Sequence, residues 1–306
     1  MQLSDNARGV ILMNVAMAAF TINDAAMKAA MTTVPLFQAI GIRGAVATVA
    51  LIVIGCRMGG LRLRLPRRDL GFLVLRSLAE VLGTLLFLQA LIHMPIANLS
   101  AIMQVLPLAV TLAAAVLLNQ PIGWRRLTAI LVGFAGVLII IRPGAAGFDH
   151  WSLMGLGSVL CVVVRDLTTR RMSGALPSVT VALCASATVL AMGVTGTAVQ
   201  GWQPVDLHAL TLICGAAIAL IVGYLSVVMT MRVGEISLIA PFRYMALVWA
   251  IVLGWLAFGD FPDGWTLTGA AIVVATGIFT LLRERRLAGT QTRDAVSKIA
   301  VSDPLL

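Results

Sequence analysis

The sequence predicts an all-α polytopic membrane protein with ten transmembrane helices in two inverted five-helix repeats. Of its 306 residues, 60% are hydrophobic and only 11% are charged, whereas a soluble domain is nearer a quarter charged. The mean hydropathy is +1.00. Apolar runs of about 20 residues, long enough to cross a hydrocarbon core, recur along the chain. The two halves of the chain also resemble each other.

The apolar runs divide the chain into spans with short connections, apart from a basic loop at 57–69 and a polar tail after Arg283. We expect the first run to be a span and not a cleaved signal peptide. It carries Asn14, Asn23 and Asp24, and it lacks an obvious small-residue cleavage site. The predicted spans are 9–30, 35–56, 71–92, 96–118, 124–142, 152–172, 177–199, 207–231, 235–258 and 265–283.

The distribution of basic residues predicts the orientation. With the N-terminus in the cytoplasm, most of the 22 Lys and Arg residues fall in cytoplasmic segments. The opposite side then holds Arg142, with Lys28 at a span end. Both termini are therefore expected in the cytoplasm, and the tail 285–306 is expected to be solvated there. The net charge of +9 is a topology signal, so nucleic acid is not an expected partner.

An internal repeat relates the two halves. The segment FTINDAAMK (20–28) aligns with VVVRDLTTR (162–170), which matches Asp24 with Asp166. Each half has an odd number of spans, so the second half crosses the membrane in the opposite sense. Inverted repeats are typical of secondary transporters, whose substrate sites lie near the midplane between the repeats.

A second pair of segments extends the repeat, because IGWRRLTAILVG (122–133) resembles DGWTLTGAAIVV (263–274). We therefore expect two five-helix repeats, at 9–142 and 152–284, followed by the tail.

Two long stretches carry a family resemblance: PLAVTLAAAVLLNQPIGWRRLTAILVGFAGVLII (107–140) and SLIAPFRYMALVWAIVLGWLAFGDFPDGWTLTGAAIVVATGIF (237–279). With the ten spans and the repeat, they resemble the EamA branch of the drug/metabolite transporter superfamily over residues 9–284. The family usually has a glutamate at the ends of the fourth and ninth spans. Gln120 and Asp260 stand there in this chain, so an essential carboxylate is not expected at either position.

The resemblance implies a secondary transporter of the bacterial inner membrane that moves a small polar metabolite by alternating access. N-D-x-x-x-K in the first span and A-P-[FY]-R-Y in the ninth look most like carriers for S-adenosylmethionine and riboflavin. Uptake of riboflavin, or of a similar heteroaromatic cofactor precursor, is the leading expectation. Uptake of S-adenosylmethionine and export of amino acids or other metabolites are the alternatives. The expected partners are a small-molecule substrate and the lipid bilayer, and a homodimer is left open.

Ionisable residues inside spans are the candidate site, because such residues are costly in lipid and usually face the bundle interior. Asp24 and Lys28 share a helix face, and Asp24 is related to Asp166 by the repeat. These three are predicted to act in gating or proton coupling; the alternative is ion pairs within each helix. Arg76 and Glu80 have the same spacing and the same two interpretations.

The predicted substrate-binding residues lie near mid-span. Arg43 and Arg243 have no acidic neighbour one helical turn away, so each needs a partner on another helix or on the substrate. Pro241 kinks the ninth span, which brings a ring, a charge and the Tyr244 hydroxyl to one depth and suits a planar ligand. The alternative partners of Arg243 are acidic side chains on other helices. The predicted substrate-binding set is Arg43, Glu80, Gln104, Arg243 and Tyr244.

The fourth span carries one polar face, which includes Gln104 and is typical either of a cavity wall or of hydrogen bonding between helices. No catalytic residues, metal site or cofactor are expected. The chain lacks a Walker loop and an H-E-x-x-H motif, and its histidines all lie at span ends. The four cysteines are widely spaced, as apolar packing residues often are. A channel or an intramembrane enzyme remains an alternative class.

Overall fold

The computed structural model describes residues 5–57, 67–118, 123–142, 150–172, 177–230, 233 and 236–302. Gln120 and residues 58–66 of the basic loop therefore lie outside the described residues.

The described residues form helices and contain no strand, which confirms the predicted all-α class. Ten segments are long and apolar enough to cross a membrane, at the positions predicted from hydropathy. The helices are α1 (Asp5–Ala30), α2 (Leu36–Arg57), α3 (Arg67–His93), α4 (Ile96–Met103), α5 (Leu106–Leu118), α6 (Trp124–Ile141), α7 (Trp151–Arg171), α8 (Ser178–Gln200), α9 (Leu207–Thr230), α10 (Ile236–Ile239), a 3-10 helix (Ala240–Tyr244), α11 (Met245–Phe258) and α12 (Gly264–Ser302).

The surface of the bundle is apolar. Large side chains such as Leu78 and Val116 are more than 60% exposed, whereas polar Gln38, Ser158 and Thr230 are buried. A soluble protein would bury the large apolar groups first. A protein that faces lipid exposes its large apolar side chains and buries its polar ones. Helices suit this environment because they satisfy their own backbone hydrogen bonds. The arrangement fits a multi-pass membrane protein.

The helices pack in four main pairs: α1 with α9, α3 with α7, α2 with α8, and α6 with α12. In order of spans these are one with eight, three with six, two with seven, and five with ten. Exchanging each span with the one five places away leaves this set of pairs unchanged. The packing therefore supports the inverted relation between the halves, which itself stays a prediction.

Two of these pairs cross at facing glycines. A Cβ on Gly136 of α6 would lie 2.9 Å from the carbonyl oxygen of Gly269 on α12. A Cβ on Gly193 of α8 would overlap the backbone nitrogen of Gly41 on α2. The backbones can approach this closely only because both partners lack side chains. These contacts fix the α6–α12 and α2–α8 crossings.

The fourth and ninth spans are interrupted, and they occupy corresponding places in the two halves. Helix α4 ends at Met103 and α5 begins at Leu106, just before Pro107. A proline ring clashes with the carbonyl four residues earlier, which here belongs to the last residue of α4. In the ninth span, Pro241 lies in a 3-10 segment between α10 and α11. Paired interruptions of this kind mark substrate sites in inverted-repeat transporters.

Helix α12 begins at Gly264 and continues to Ser302, well beyond the predicted end of the last span at residue 283. The predicted end at residue 283 is the end of the apolar stretch. The helix itself continues into the basic segment that follows. The backbone of the predicted tail is therefore helical up to Ser302.

Candidate functional site

Glu80 of α3 is the centre of a charged network inside the bundle. Its two carboxylate oxygens face two arginines: Oε2 lies 3.6 Å from Nη2 of Arg76, and Oε1 lies 3.4 Å from Nη1 of Arg165 on α7. Arg165 also binds Asp166, with 2.9 Å between its Nη2 and the carboxylate Oδ1. The side chain of Glu80 is 22% exposed, so these pairs are only partly solvated.

The network continues toward α1 and α2. Arg43 of α2 donates a hydrogen bond of 3.5 Å to the side-chain oxygen of Asn23, and Asn23 donates one of 2.9 Å to Asp24. The charge of Arg43 also interacts with those of Asp24 and Glu80. Arg43 thus links the α1 carboxylate to the carboxylate of α3.

Arg76 anchors the other end of the network. Its Nε donates a hydrogen bond of 3.2 Å to the hydroxyl of Thr169 on α7, and its charge also acts on Tyr224 of α9. Five of the spans therefore contribute to one connected set of polar groups. The ion pairs between helices join α3 with α7, which is also one of the four main helix pairs.

The network contains as many basic as acidic side chains. A single charge at the centre of a span costs about 2.5–3.5 kcal/mol on insertion scales. Removing one member of a buried pair costs about 3–5 kcal/mol, because the partner stays buried and uncompensated. The network consists of three arginines and three carboxyl groups: Arg43, Arg76, Arg165, Asp24, Glu80 and Asp166.

The predicted alternative of ion pairs within a helix holds in two cases, Arg76 with Glu80 and Asp166 with the adjacent Arg165. Arg76 and Glu80 do pair at the i, i+4 spacing. Lys28, however, turns away from Asp24: its Nζ donates a hydrogen bond of 2.6 Å to the carbonyl of Met94 and lies 5.3 Å from the centre of the Phe258 ring. The shared helix face was therefore not sufficient to predict an Asp24–Lys28 pair.

Gln104 lies at the interruption of the fourth span, between α4 and α5, and its side chain is buried. Thr111, farther along the same span, accepts a hydrogen bond of 3.2 Å from Nη2 of Arg126 on α6. At Thr111 the polar face of the fourth span therefore forms a hydrogen bond to a neighbouring helix. Gln104 of the same face lies in irregular backbone, and inverted-repeat transporters have such backbone at their substrate sites.

Arg243 and Tyr244 are adjacent in the 3-10 segment, but the structure separates their side chains. Tyr244 is buried and its hydroxyl lies against Gly277 of α12, with no hydrogen-bond partner among the described residues. The side chain of Arg243 is exposed and forms no hydrogen bond or ion pair with a described residue. Neither Glu80 nor Asp166 is its partner, because both pair with other arginines.

Two charged members of the network, Arg165 and Arg76, were absent from the predicted site, and so was Asn23, which links Arg43 to Asp24. Arg165 was recognisable as a charge inside a span, yet its partner Glu80 is 85 residues away in the sequence. No local spacing rule joins residues so far apart. Asn23 is the repeat counterpart of Arg165, since each precedes the matched aspartate, and that relation was the available signal.

A second ion pair lies at the opposite end of the bundle from the basic loop. Arg142 follows α6 with a left-handed backbone conformation (φ 51°) and donates a hydrogen bond to Asp263, just before α12. Asp263 in turn accepts a hydrogen bond of 2.9 Å from the backbone N–H of Thr266. The hydrogen bond from Arg142 lowers the pKa of Asp263 to about 2. The pair ties the fifth and tenth spans together at this end.

Among the described residues, no group of three or more His, Cys, Asp or Glu side chains could hold a metal ion. The polar groups of the bundle interior are instead arginines, carboxylates and amides. These groups can bind a polar solute by hydrogen bonds and charge, and they can exchange partners as helices move.

Among the described residues, ten apolar spans surround an internal charged network, an arrangement typical of polytopic membrane transporters. Residues 7–142 match the model of the EamA-like transporter family, and relatives of this superfamily align with most of the chain. The predicted resemblance to the EamA branch of the drug/metabolite transporter superfamily is confirmed. Transporters are not enzymes, so the comparisons agree with the predicted class.

Three relatives illustrate the similarity. A riboflavin transporter of Vibrio cholerae is 28% identical over 222 residues, covering 72% of this chain and 74% of the relative. An S-adenosylmethionine uptake transporter of Rickettsia conorii is 27% identical over 215 residues, covering 70% and 72%. A pseudopaline exporter of Pseudomonas aeruginosa is 24% identical over 277 residues, covering 88% and 94%.

The fold also occurs in a solved crystal structure that is 20% identical in sequence. The two superpose with a TM-score of 0.62 over 91% of this chain and 98% of the other. At this identity the similarity concerns the fold alone.

Proposed function

We propose that this transporter takes up riboflavin, or a heteroaromatic metabolite of similar size, across the bacterial inner membrane by alternating access. The observation that carries the proposal is the charged network, which lies inside a bundle with interrupted helices at corresponding places in its halves. The similarity to riboflavin transporters and the A-P-F-R-Y sequence of the ninth span support this substrate.

Within this proposal the network has two parts. Asp24 and Asp166 both lie toward the C-terminal end of their helix, Asp24 in α1 near Arg43 and Asp166 in α7 beside Arg165. Because α1 and α7 are predicted to cross the membrane in opposite senses, the two carboxyl groups belong to opposite sides. We assign them to gating or proton coupling on the outer and inner sides. The gates would open in turn when these pairs exchange partners. Lys28 would contribute to the outer gate through its hydrogen bond to Met94.

The second candidate is uptake of S-adenosylmethionine. It is favoured by the similarity to the Rickettsia transporters and by the environment of Asp24, which accepts its hydrogen bond from neutral Asn23. A carboxylate without a direct arginine hydrogen bond can attract a cationic substrate. The pseudopaline exporter aligns with a larger share of this chain than the uptake transporters do, so transport assays must measure export as well as uptake.

The test is growth rescue of a riboflavin-auxotrophic bacterium that lacks its own flavin importer, at low external riboflavin. We expect the wild-type protein to restore growth and Arg243→Ala to fail, with equal amounts of both in the membrane. Excess S-adenosylmethionine should not reduce the rescue. A wild-type protein that is present in the membrane but gives no growth would refute riboflavin uptake and favour S-adenosylmethionine.

A further inference from the structure

The side chain of Arg243 is exposed on the inner side of the ninth span. Helix α11 presents Val248 and Val252 outward and buries Leu247 and Ala250, so its lipid-facing and inward-facing sides are distinct. Arg243 precedes Leu247 by four residues and Ala250 by seven. An α-helix turns about 100° per residue, so this spacing places Arg243 on the same helix face as the buried pair. In the 3-10 segment the turn per residue is only about 20° larger, which does not move Arg243 to another face. Exposure on a buried face means that the guanidinium borders internal space.

Arg243 lies outside the charged network. The three arginines of the network face its three carboxyl groups, through the ion pairs and charge interactions of Glu80, Asp166 and Asp24. Arg243 forms no hydrogen bond or ion pair with any residue that the structure describes, although its charge acts on the neighbouring Tyr244 hydroxyl. Charged groups in this part of a bundle normally pair with one another or border a water-filled path. Nothing in the described part of the chain satisfies Arg243, so a solute that enters this space can bind it.

We propose that Arg243 anchors the transported molecule through two adjacent, coplanar hydrogen-bond acceptors on its edge. A guanidinium is a planar fork whose parallel N–H groups bind such a pair far better than a single acceptor. The flavin ring system has two such edges, N1 with O2 and N5 with O4, and a carboxylate is another such pair of acceptors. The inference deepens the proposed function and rests on it for the choice of the first ligand.

The flavin edge is tested with paired analogues. Uptake of riboflavin, 1-deazariboflavin and 5-deazariboflavin is measured in cells producing the wild-type protein, Arg243→Lys or Arg243→Ala, with Arg125→Lys as a control at an exposed position. In the wild type, replacing the nitrogen of the bound edge, N1 or N5, by C–H should raise the half-saturation concentration at least tenfold, whereas replacing the other nitrogen should change it less than threefold. The larger effect should shrink in Arg243→Lys and vanish in Arg243→Ala. Equal effects of the two replacements in the wild type, or the same effects in all variants, overturn the inference.

A failure of the proposed function gives a different result, because the wild type then takes up none of the three flavins. The carboxylate version is tested in that case with S-adenosylmethionine and its decarboxylated form. We expect the wild type to prefer the carboxylate at least tenfold and Arg243→Ala to lose the preference. Equal uptake of both forms overturns the inference.

A measurement that needs no substrate completes the test. The purified protein in lipid nanodiscs is treated with phenylglyoxal, and the modified arginines are identified by mass spectrometry. Arg243 should react at least tenfold faster than Arg165, which is held by two carboxylates. An Arg243 that reacts no faster than Arg165 is not a free, water-accessible cation, and the inference then fails for every substrate.

Discussion

Replacing Glu80 by glutamine should destabilise the bundle, because two arginines share this carboxylate. Arg76 and Arg165 lie 3.6 and 3.4 Å from its oxygens. The amide has nearly the same shape, so packing is kept while the negative charge is lost. Asp166 then remains the nearest anion, and it is bound to Arg165.

The magnitude follows from the exposure of the three groups. The side chains of Glu80, Arg76 and Arg165 are 22%, 13% and 30% exposed. A fully buried pair that loses one partner costs about 3–5 kcal/mol, and an exposed pair is worth at most about 1 kcal/mol. Between these limits we expect a loss of about 2 kcal/mol. That loss corresponds to a decrease in Tm of about 4–8 °C.

The assay is thermal unfolding of purified protein in one detergent, followed by tryptophan fluorescence. Glu80→Gln is compared with Asp5→Asn, the same chemical change at a carboxylate that is 79% exposed, which should leave Tm unchanged. The double variant Glu80→Gln with Arg165→Gln removes one charge of each sign and should recover at least half of the loss. A Tm for Glu80→Gln within about 1 °C of the wild type would refute the shared-carboxylate reasoning.

Three further predictions concern positions outside the network. The lowered pKa of Asp263 means that its pair with Arg142 contributes stability that is fully present above about pH 4 and is lost as the pH falls through about 2. Asp263→Asn should therefore lower Tm by a few degrees at pH 7 and by much less at pH 2, where Asp263 is partly protonated. An equal decrease at both pH values would contradict the pair. Tyr244→Phe removes a buried hydroxyl that has no hydrogen-bond partner among the described residues, so Tm should be unchanged or raised and uptake should be normal. Reduced uptake would instead support the predicted contact between Tyr244 and the substrate. Gly193→Ala, in which the Cβ overlaps α2, should cost about 1–3 kcal/mol of the unfolding free energy, whereas Gly215→Ala, with open space around it, should cost none.

The number, order and approximate bounds of the spans could be predicted from the sequence, because hydropathy over 20 residues depends on local composition alone. The interruption at Pro241 was predicted for the same reason, since a proline acts on its own helix. The break at Gln104 and Val105 was not predicted, although Pro107 was visible. Pro107 interrupts the helix about one turn before its own position, at Gln104 and Val105. Gln104 was predicted only from its side chain, as part of the polar face of the fourth span.

The charged residues of the site could be identified, but their partners could not. The Arg76–Glu80 pair followed from helical spacing. Arg165 and Glu80 meet only because α3 packs on α7. Lys28 donates its hydrogen bond to the carbonyl of Met94, which lies in the connection between α3 and α4, and the position of that connection cannot be predicted from sequence patterns. Tyr244 shows the same limit, because one residue of rotation from Arg243 turns its hydroxyl toward α12. Pairing between spans is a property of the packed bundle.

Solute counterflow in proteoliposomes is the measurement we would make first. Vesicles that contain the purified protein are loaded with unlabelled riboflavin and diluted into a trace of labelled riboflavin. A carrier that alternates between two closed states accumulates label transiently above its equilibrium level, and Arg243→Ala should abolish the overshoot. Label that enters without overshoot or saturation would identify a channel and contradict alternating access, and an overshoot that persists in Arg243→Ala would show that the substrate binds elsewhere.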